Sequence, residues 1–355
     1  MKALLKSLII ILMIPALAQA HEIEIGKFTK QKSIKKAYIV NPDAGIDIQN
    51  SYGNVYVTTW NEDKIELDIQ IKVSGDREEW VNKKIDDIDV EIEALKSMVT
   101  AKTVISNSSG NTNGKNNSFE INYTIKIPKN GSVKINNKYG DVLSADLFAN
   151  VNIKCKYGKV TMGKLSGNSN IIDIEYCNKS SVDYVKNGSV SADYSGLSIN
   201  DFGNINLKAD YTDINFTNGN NLKYDCSYGK LNYGKISNLE GIGDYLTIKV
   251  GEILNNLQVN TKYSKLTVDE MGAKAGNINV NSGYTSVGIG YSPAYSFDFD
   301  ISLKFGNFKN DGDIELTSKQ ETNFSKSYQG YYKKQGTNKV SITSNYGNVS
   351  LTKNP

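Results

Sequence analysis

Three carboxylates, Glu175, Asp193 and Asp210, recur at intervals of 18 and 17 residues, each directly before an aromatic residue. If the chain stacks one such interval on the next, these side chains form a column about 5 Å apart, the separation of a retaining glycosidase pair. The chemistry would be acid-assisted and nucleophilic cleavage of a glycan. The same column continues into lysines, Lys138 and Lys156 on one side and Lys262 on the other. That continuation points instead to a solvated face whose charge alternates in blocks. An outward corner also offers no pocket for substrate.

The second candidate group is Tyr328, Tyr331, Tyr332, Lys333 and Lys334. Clustered tyrosines and lysines on a loop can stack on sugars or anchor a protein partner. The competing reading folds these rings back over the edge of the fold. Asp311-Gly312-Asp313 has the composition of a calcium loop, but two acids around a glycine are more often a turn. His21 is the only histidine and Arg77 the only arginine. A copper site built on an amino-terminal histidine needs a second imidazole, and triads of the Ser-His-Asp kind would have to run through His21. A bidentate clamp on phosphate or carboxylate has one residue to draw on. No metal and no cofactor is expected.

The 355 residues carry 41 basic and 38 acidic side chains, a formal net charge of +3. That balance gives no reason to expect a nucleic-acid partner. The first twenty residues read as a secretory signal. Lys2 and Lys6 precede an apolar run from Leu8 to Leu17, and Ala18-Gln19-Ala20 is a small-x-small cleavage site. Residues 1–20 are therefore assigned as a signal peptide cleaved after Ala20. The mature chain has no transmembrane segment and is exported, to the periplasm or the cell surface.

The elements that must position these residues are set by an internal repeat. Tyr52, Tyr139, Tyr157, Tyr194, Tyr211, Tyr228, Tyr245, Tyr263, Tyr284, Phe305 and Tyr346 each close a stretch of alternating apolar and polar residues. From Tyr139 to Phe305 the aromatic returns every 17 to 21 residues, with Tyr176 counted. Ile205, Leu207 and Ala209 lead to Tyr211, and Leu266, Val268 and Met271 follow Tyr263. The period of two is that of strands, broken at each aromatic by a corner where the inward parity flips. A glycine at the corner is expected to supply the backbone freedom. Such a unit fits one coil of a β-solenoid, with coils about 4.8 Å apart. The expected fold is all-β, a right-handed β-helix of 17–21-residue coils. The aromatics share the parity of the apolar positions and should form an internal ladder.

Cys155 and Cys226 both lie two residues before a repeat tyrosine. Four coils separate them, about 19 Å, beyond the roughly 7 Å that a disulfide spans. Cys177 follows Tyr176 and should face the other way. No disulfides are expected.

Residues 61–131 depart from the repeat. Ile65 to Val73 alternate as a strand, and Asp76 with Glu79 reads as a capping box before a helix with Trp80, Val81, Ile85 and Ile88. Further strands are expected at Asp89–Glu93, Met98–Ile105 and Phe119–Ile127, with an Asn/Ser/Gly-rich loop between Ser106 and Ser118. The domains are then 21–60, strands and the first coil; 61–131, a small α+β insertion that caps the open end; and 132–355, the solenoid. A second insertion at 321–338 interrupts it before the final coil.

The stretch 50–165 resembles the bacterial putative-adhesin family. The resemblance lies in Tyr52-Gly53-Asn54-Val55-Tyr56-Val57 with Trp60, the strand to Val73, the helix near Trp80, the Asp89–Glu93 strand, Tyr123 to Pro128, and Tyr139-Gly140-Asp141-Val142. It implies an exported, solenoid-like envelope protein and carries over no catalytic residue. The sequence thus points to a non-enzymatic binding surface for a glycan or an envelope protein. Two alternatives stay open: a periplasmic stress or scaffold component, and a polysaccharide-active hydrolase or lyase using Glu175, Asp193 or Asp210.

Overall fold

The structure is a computed structural model that describes residues 26–106, 116–311 and 313–355. The assigned signal peptide, His21, most of the Ser106–Ser118 loop and Gly312 lie outside the described residues. The fold is all-β, with a single α-helix among the described residues.

Each repeat contributes one strand before its aromatic and one after it, and both pair in parallel with the neighbouring repeats. Ile153 lies beside Ile135 on one side and Ile172 on the other. Further along, Leu207 aligns with Val190 and Tyr224. The alternation in the sequence becomes alternation in burial: Ile205, Leu207 and Ala209 are buried, as are Ile214 and Phe216 beyond the corner. These residues stack into rows that form one continuous apolar core from Val40 to Leu351. Val, Ile and Leu dominate it, because a parallel sheet with a covered face selects branched apolar side chains.

Near the amino terminus three long strands, Phe28–Ile39, Lys64–Gly75 and Ser118–Pro128, form an antiparallel set. Ser118–Pro128 also lies parallel to Val55–Trp60, and Met98–Ile105 lies parallel to Gly45–Ser51. The helix spans Glu78–Asp86 and buries Val81 and Ile85. Its cap position is Arg77, one residue later than a box of Asp76 and Glu79 requires. Asp76 accepts a bond from Asn116 Nδ2 at 2.9 Å instead. Ile88 is buried but starts the next strand, Ile88–Ala94, which pairs antiparallel with Met98–Ile105.

The carboxyl-terminal part departs from sequence order. Strand Lys339–Asn345 does not follow Phe297–Lys304 at the end of the stack. It inserts between Ile278–Gly283 and Phe297–Lys304, in parallel with both. Val349–Lys353 likewise lies between Ser286–Tyr291 and Phe308–Asn310. Nor is the 321–338 segment a loop insertion. Glu315–Glu321 and Ser325–Tyr332 form an antiparallel hairpin, and its second strand pairs with Phe297–Lys304. The hairpin covers the edge that the displaced strand would otherwise have taken.

Candidate functional site

The repeat aromatics have one backbone conformation in common. All eleven predicted ladder residues, and Tyr176, have φ between 49° and 64°. One left-handed residue swaps the parity of the strand. Around Tyr211, Ala209 and Thr212 are buried while the ring points outward. The expectation of an internal ladder is therefore corrected: these rings are 41% to 53% exposed. The flip occurs at the aromatic itself, not after it.

The glycine after the aromatic has a different task from the one expected. Gly140 and Gly158 are not in the left-handed region. They make room for the next repeat: a Cβ at Gly140 would stand 2.0 Å from the Gly53 carbonyl oxygen. Left-handed backbone disfavours an L-residue by about 1–2 kcal/mol. Stacked aromatic pairs contribute about 0.5–1.5 kcal/mol each, and most rings here have two neighbours. Stacking is thus of the size needed to offset the backbone cost.

The rings form a ladder on the surface. Neighbouring centroids are 4.7 to 5.1 Å apart, with ring planes within 15° of parallel. It runs from Tyr52 through Tyr284, then to Tyr346 and last to Phe305, following the displaced strand. Phe119 and Phe324 flank its two ends. A groove of about 820 Å³ lies beside it, lined by Tyr194, Tyr211, Tyr228, Lys179, Asp213 and Asn215.

Glu175, Asp193 and Asp210 are brought into one column beside the ladder, paired in register on successive strands. They are not equivalent. Glu175 is ion-paired with Lys156. Asp193 Oδ1 accepts the Asp210 N–H at 3.3 Å. Partial burial raises the Asp193 carboxyl above its ordinary range, and the charges of Asp210 and Glu175 add to the effect.

The tyrosine–lysine group is divided by the hairpin. Tyr328 and Tyr332 are only 6% exposed, so neither offers a ring to a ligand. Tyr328 donates to Glu321, and Tyr332 packs against Tyr291 and Phe297 and donates to the Pro293 carbonyl at 3.2 Å. Alternation within a strand turns them inward and leaves Tyr331 half-buried on the opposite side. Lys333 and Lys334 are exposed at the hairpin end. Of the five, the lysines and the Tyr331 edge remain available. Asp311 and Asp313 are engaged by the backbone N–H and the ammonium of Lys353. Among the described residues no group of His, Cys, Asp or Glu side chains is arranged to hold a metal ion.

A second polar row escaped the sequence reading. Asn187, Asn204, Asn221, Asn238 and Asn256 pass side-chain hydrogen bonds along the stack at 2.6 to 3.1 Å. Asn256 then accepts the Asn277 N–H at 2.9 Å. Each of these asparagines lies seven residues before its tyrosine, a spacing that was legible. Asn204, Asn221, Asn238 and Asn256 line a shallow groove of about 290 Å³ with Lys223 and Glu240.

All three cysteines are buried and free. Cys177 does not face away from the core: it is 0% exposed, because the left-handed corner turns the residue after the aromatic inward, as it does Thr212. Among the described residues no helix is long and apolar enough to cross a membrane.

No family model and no curated protein matches the sequence. Several solved structures match along most of their length. One is described as a putative cell adhesion protein from Clostridium sporogenes, at 12% identity and a TM-score of 0.18, covering 92% of this chain and 100% of its own. A putative adhesin from Bacteroides fragilis matches at 12% identity and a TM-score of 0.32, covering 91% and 97%. A putative adhesin from Parabacteroides distasonis matches at 10% identity with the same TM-score and coverage.

Proposed function

We propose that the protein is a non-enzymatic, exported component of the bacterial cell envelope, a β-solenoid whose long side binds a glycan or a protein partner. The solenoid reading is supported by parallel pairing at one-repeat intervals and by aromatics repeated along one edge. The observation that carries the function is the row of half-exposed rings with a polar groove beside it. Stacked strands impose one spacing along the whole side, so a polymeric ligand can make the same contact many times. Each weak contact then adds to the next, which is how extended repeat surfaces bind.

The test is binding of the mature chain to a panel of linear glycans and to envelope proteins. It is repeated with Tyr211→Asn and Tyr228→Asn together. Asparagine tolerates the left-handed backbone and removes the rings. Binding that falls at least tenfold while strand content is kept supports the ladder. Equal binding by wild type and variant removes the ladder from the site. Export is tested by protease accessibility on intact cells and on cells whose outer membrane has been opened.

One observation favours a glycan-cleaving reading: the raised carboxyl of Asp193 beside Asp210. Turnover of any glycan that disappears in Asp193→Asn would replace the non-enzymatic reading.

A further inference from the structure

Down the column two residues before the aromatic, Cys155 and Cys226 are far apart. The side chain that meets Cys155 is on the diagonal. The residue just after the aromatic in one repeat sits against the residue two before the aromatic in the preceding repeat. Thr212 illustrates the geometry: its Oγ1 donates to the Ala192 carbonyl at 2.9 Å. Cys177 occupies the position of Thr212, and Cys155 the position of Ala192. Cys177 Sγ lies 3.3 Å from the Cys155 carbonyl oxygen and 3.4 Å from that of Glu175. Cys155 Sγ in turn donates to the Gly140 carbonyl at 3.6 Å, so each of the two neighbouring thiols bonds to a backbone carbonyl. Both side chains are 0% exposed. At the other cysteine this diagonal partner is Leu246, which follows Tyr245. Only one of the three possible pairs therefore lies on such a diagonal.

We infer that Cys155 and Cys177 are a disulfide site, closed by exchange with a small disulfide oxidant as the chain folds, and that Cys226 stays a thiol. The two cysteines are 22 positions apart, so the loop encloses the repeat between Tyr157 and Tyr176. The corner holds Cys177 in place, since its backbone N–H donates to Ser195 Oγ at 2.9 Å.

The exchange proceeds in two displacements. The Cys177 thiolate attacks one sulfur of the oxidant, its S–S bond breaks, and the first leaving thiolate takes up a proton. Cys155, deprotonated, then attacks the Cys177 sulfur of the mixed disulfide and expels the second thiolate. Two protein thiols lose two electrons in total, and one oxidant disulfide becomes two thiols. Burial in the finished fold places these steps before the stack closes over the corner.

The test uses the full mature chain, unfolded and reduced, then refolded in oxidised and reduced glutathione. Free thiols are alkylated under denaturing conditions and the peptides are mapped without reduction. The expected map joins the peptides of Cys155 and Cys177 in most folded molecules and leaves Cys226 alkylated. Cys226→Ala should give the same linkage. Cys177→Ala should leave Cys155 alkylated with no substitute bond. A folded wild type, judged by its strand circular dichroism, with both Cys155 and Cys177 alkylated at every glutathione ratio overturns the inference. So does a linkage through Cys226.

Discussion

Two phenols, Tyr224 and Tyr233, are buried in the core with no hydrogen-bond partner for their hydroxyls. Burial pushes both pKa values up, so each stays a neutral phenol at any ordinary pH. An unsatisfied buried hydroxyl costs about 1–3 kcal/mol. Tyr224→Phe and Tyr233→Phe should each raise stability by about 1 kcal/mol in chemical denaturation, and a loss of that size would show that the hydroxyls have partners. Asp193 gives a pH-dependent counterpart. Its carboxyl is raised in the folded state, first by burial, so folding favours the protonated form. Its favourable contribution is complete below the ordinary carboxylate pKa and disappears as pH rises through the folded value. Asp193→Asn should therefore melt higher than wild type at neutral pH, and the difference should close as pH falls below about 4. A gap that widens in acid contradicts this account. The ladder residues carry opposing terms at one position. Tyr211→Ala loses two stacks and keeps the left-handed backbone, whereas Tyr211→Gly loses the stacks and relieves the backbone. Alanine should be the more destabilising of the two, by about 1 kcal/mol.

The element that makes stacking possible is the corner, and glycine sets how closely its neighbours approach. A Cβ at Gly158 would stand 2.1 Å from the Gly140 carbonyl oxygen, so Gly158→Ala must push two repeats apart. The expected loss is about 1–3 kcal/mol, and an unchanged unfolding midpoint would falsify the close-approach role. Strands were legible in this sequence because alternation reports one covered face: Ile205, Leu207 and Ala209 lie where the pattern places them. Corner chemistry was only half legible. The pattern marks where parity flips, but not which residue absorbs the flip, and the assignment to glycine turned the aromatics inward on paper. The same gap misplaced Cys177. The hairpin that buries Tyr328 and Tyr332 was read as a loop because its strands alternate weakly, with a first strand exposed almost throughout. Partner choice was illegible in principle. Lys339–Asn345 has the period of any other repeat, and nothing in a period says which two strands it will separate.

For the whole molecule, one-repeat parallel pairing gives an extended stack with a single apolar core running along its length. Small-angle scattering should report an elongated particle, and a sphere would rule out the solenoid. In repeat proteins whose units contact only sequence neighbours, removing the last unit removes one interface. Here the last unit is internal. Deleting residues 339–355 should therefore detach the strands Phe297–Lys304 and Phe308–Asn310 as well, because both lose the partners between them and the stack. The truncated chain should show proteolytic cleavage near residues 292–296 and self-association through the bared edge. A truncation as protease-resistant as the full chain contradicts the interleaved order.

That interleaving also sets a timetable for biosynthesis. Repeats made early can zip onto one another as they emerge, but Phe297–Lys304 and its covering hairpin emerge before the segment that joins them to the rest. The assembly holds an open slot until residues 339–353 arrive. The two strands in that segment thus act as a keystone: a chain that stalls or is clipped short of them displays two unsatisfied edges.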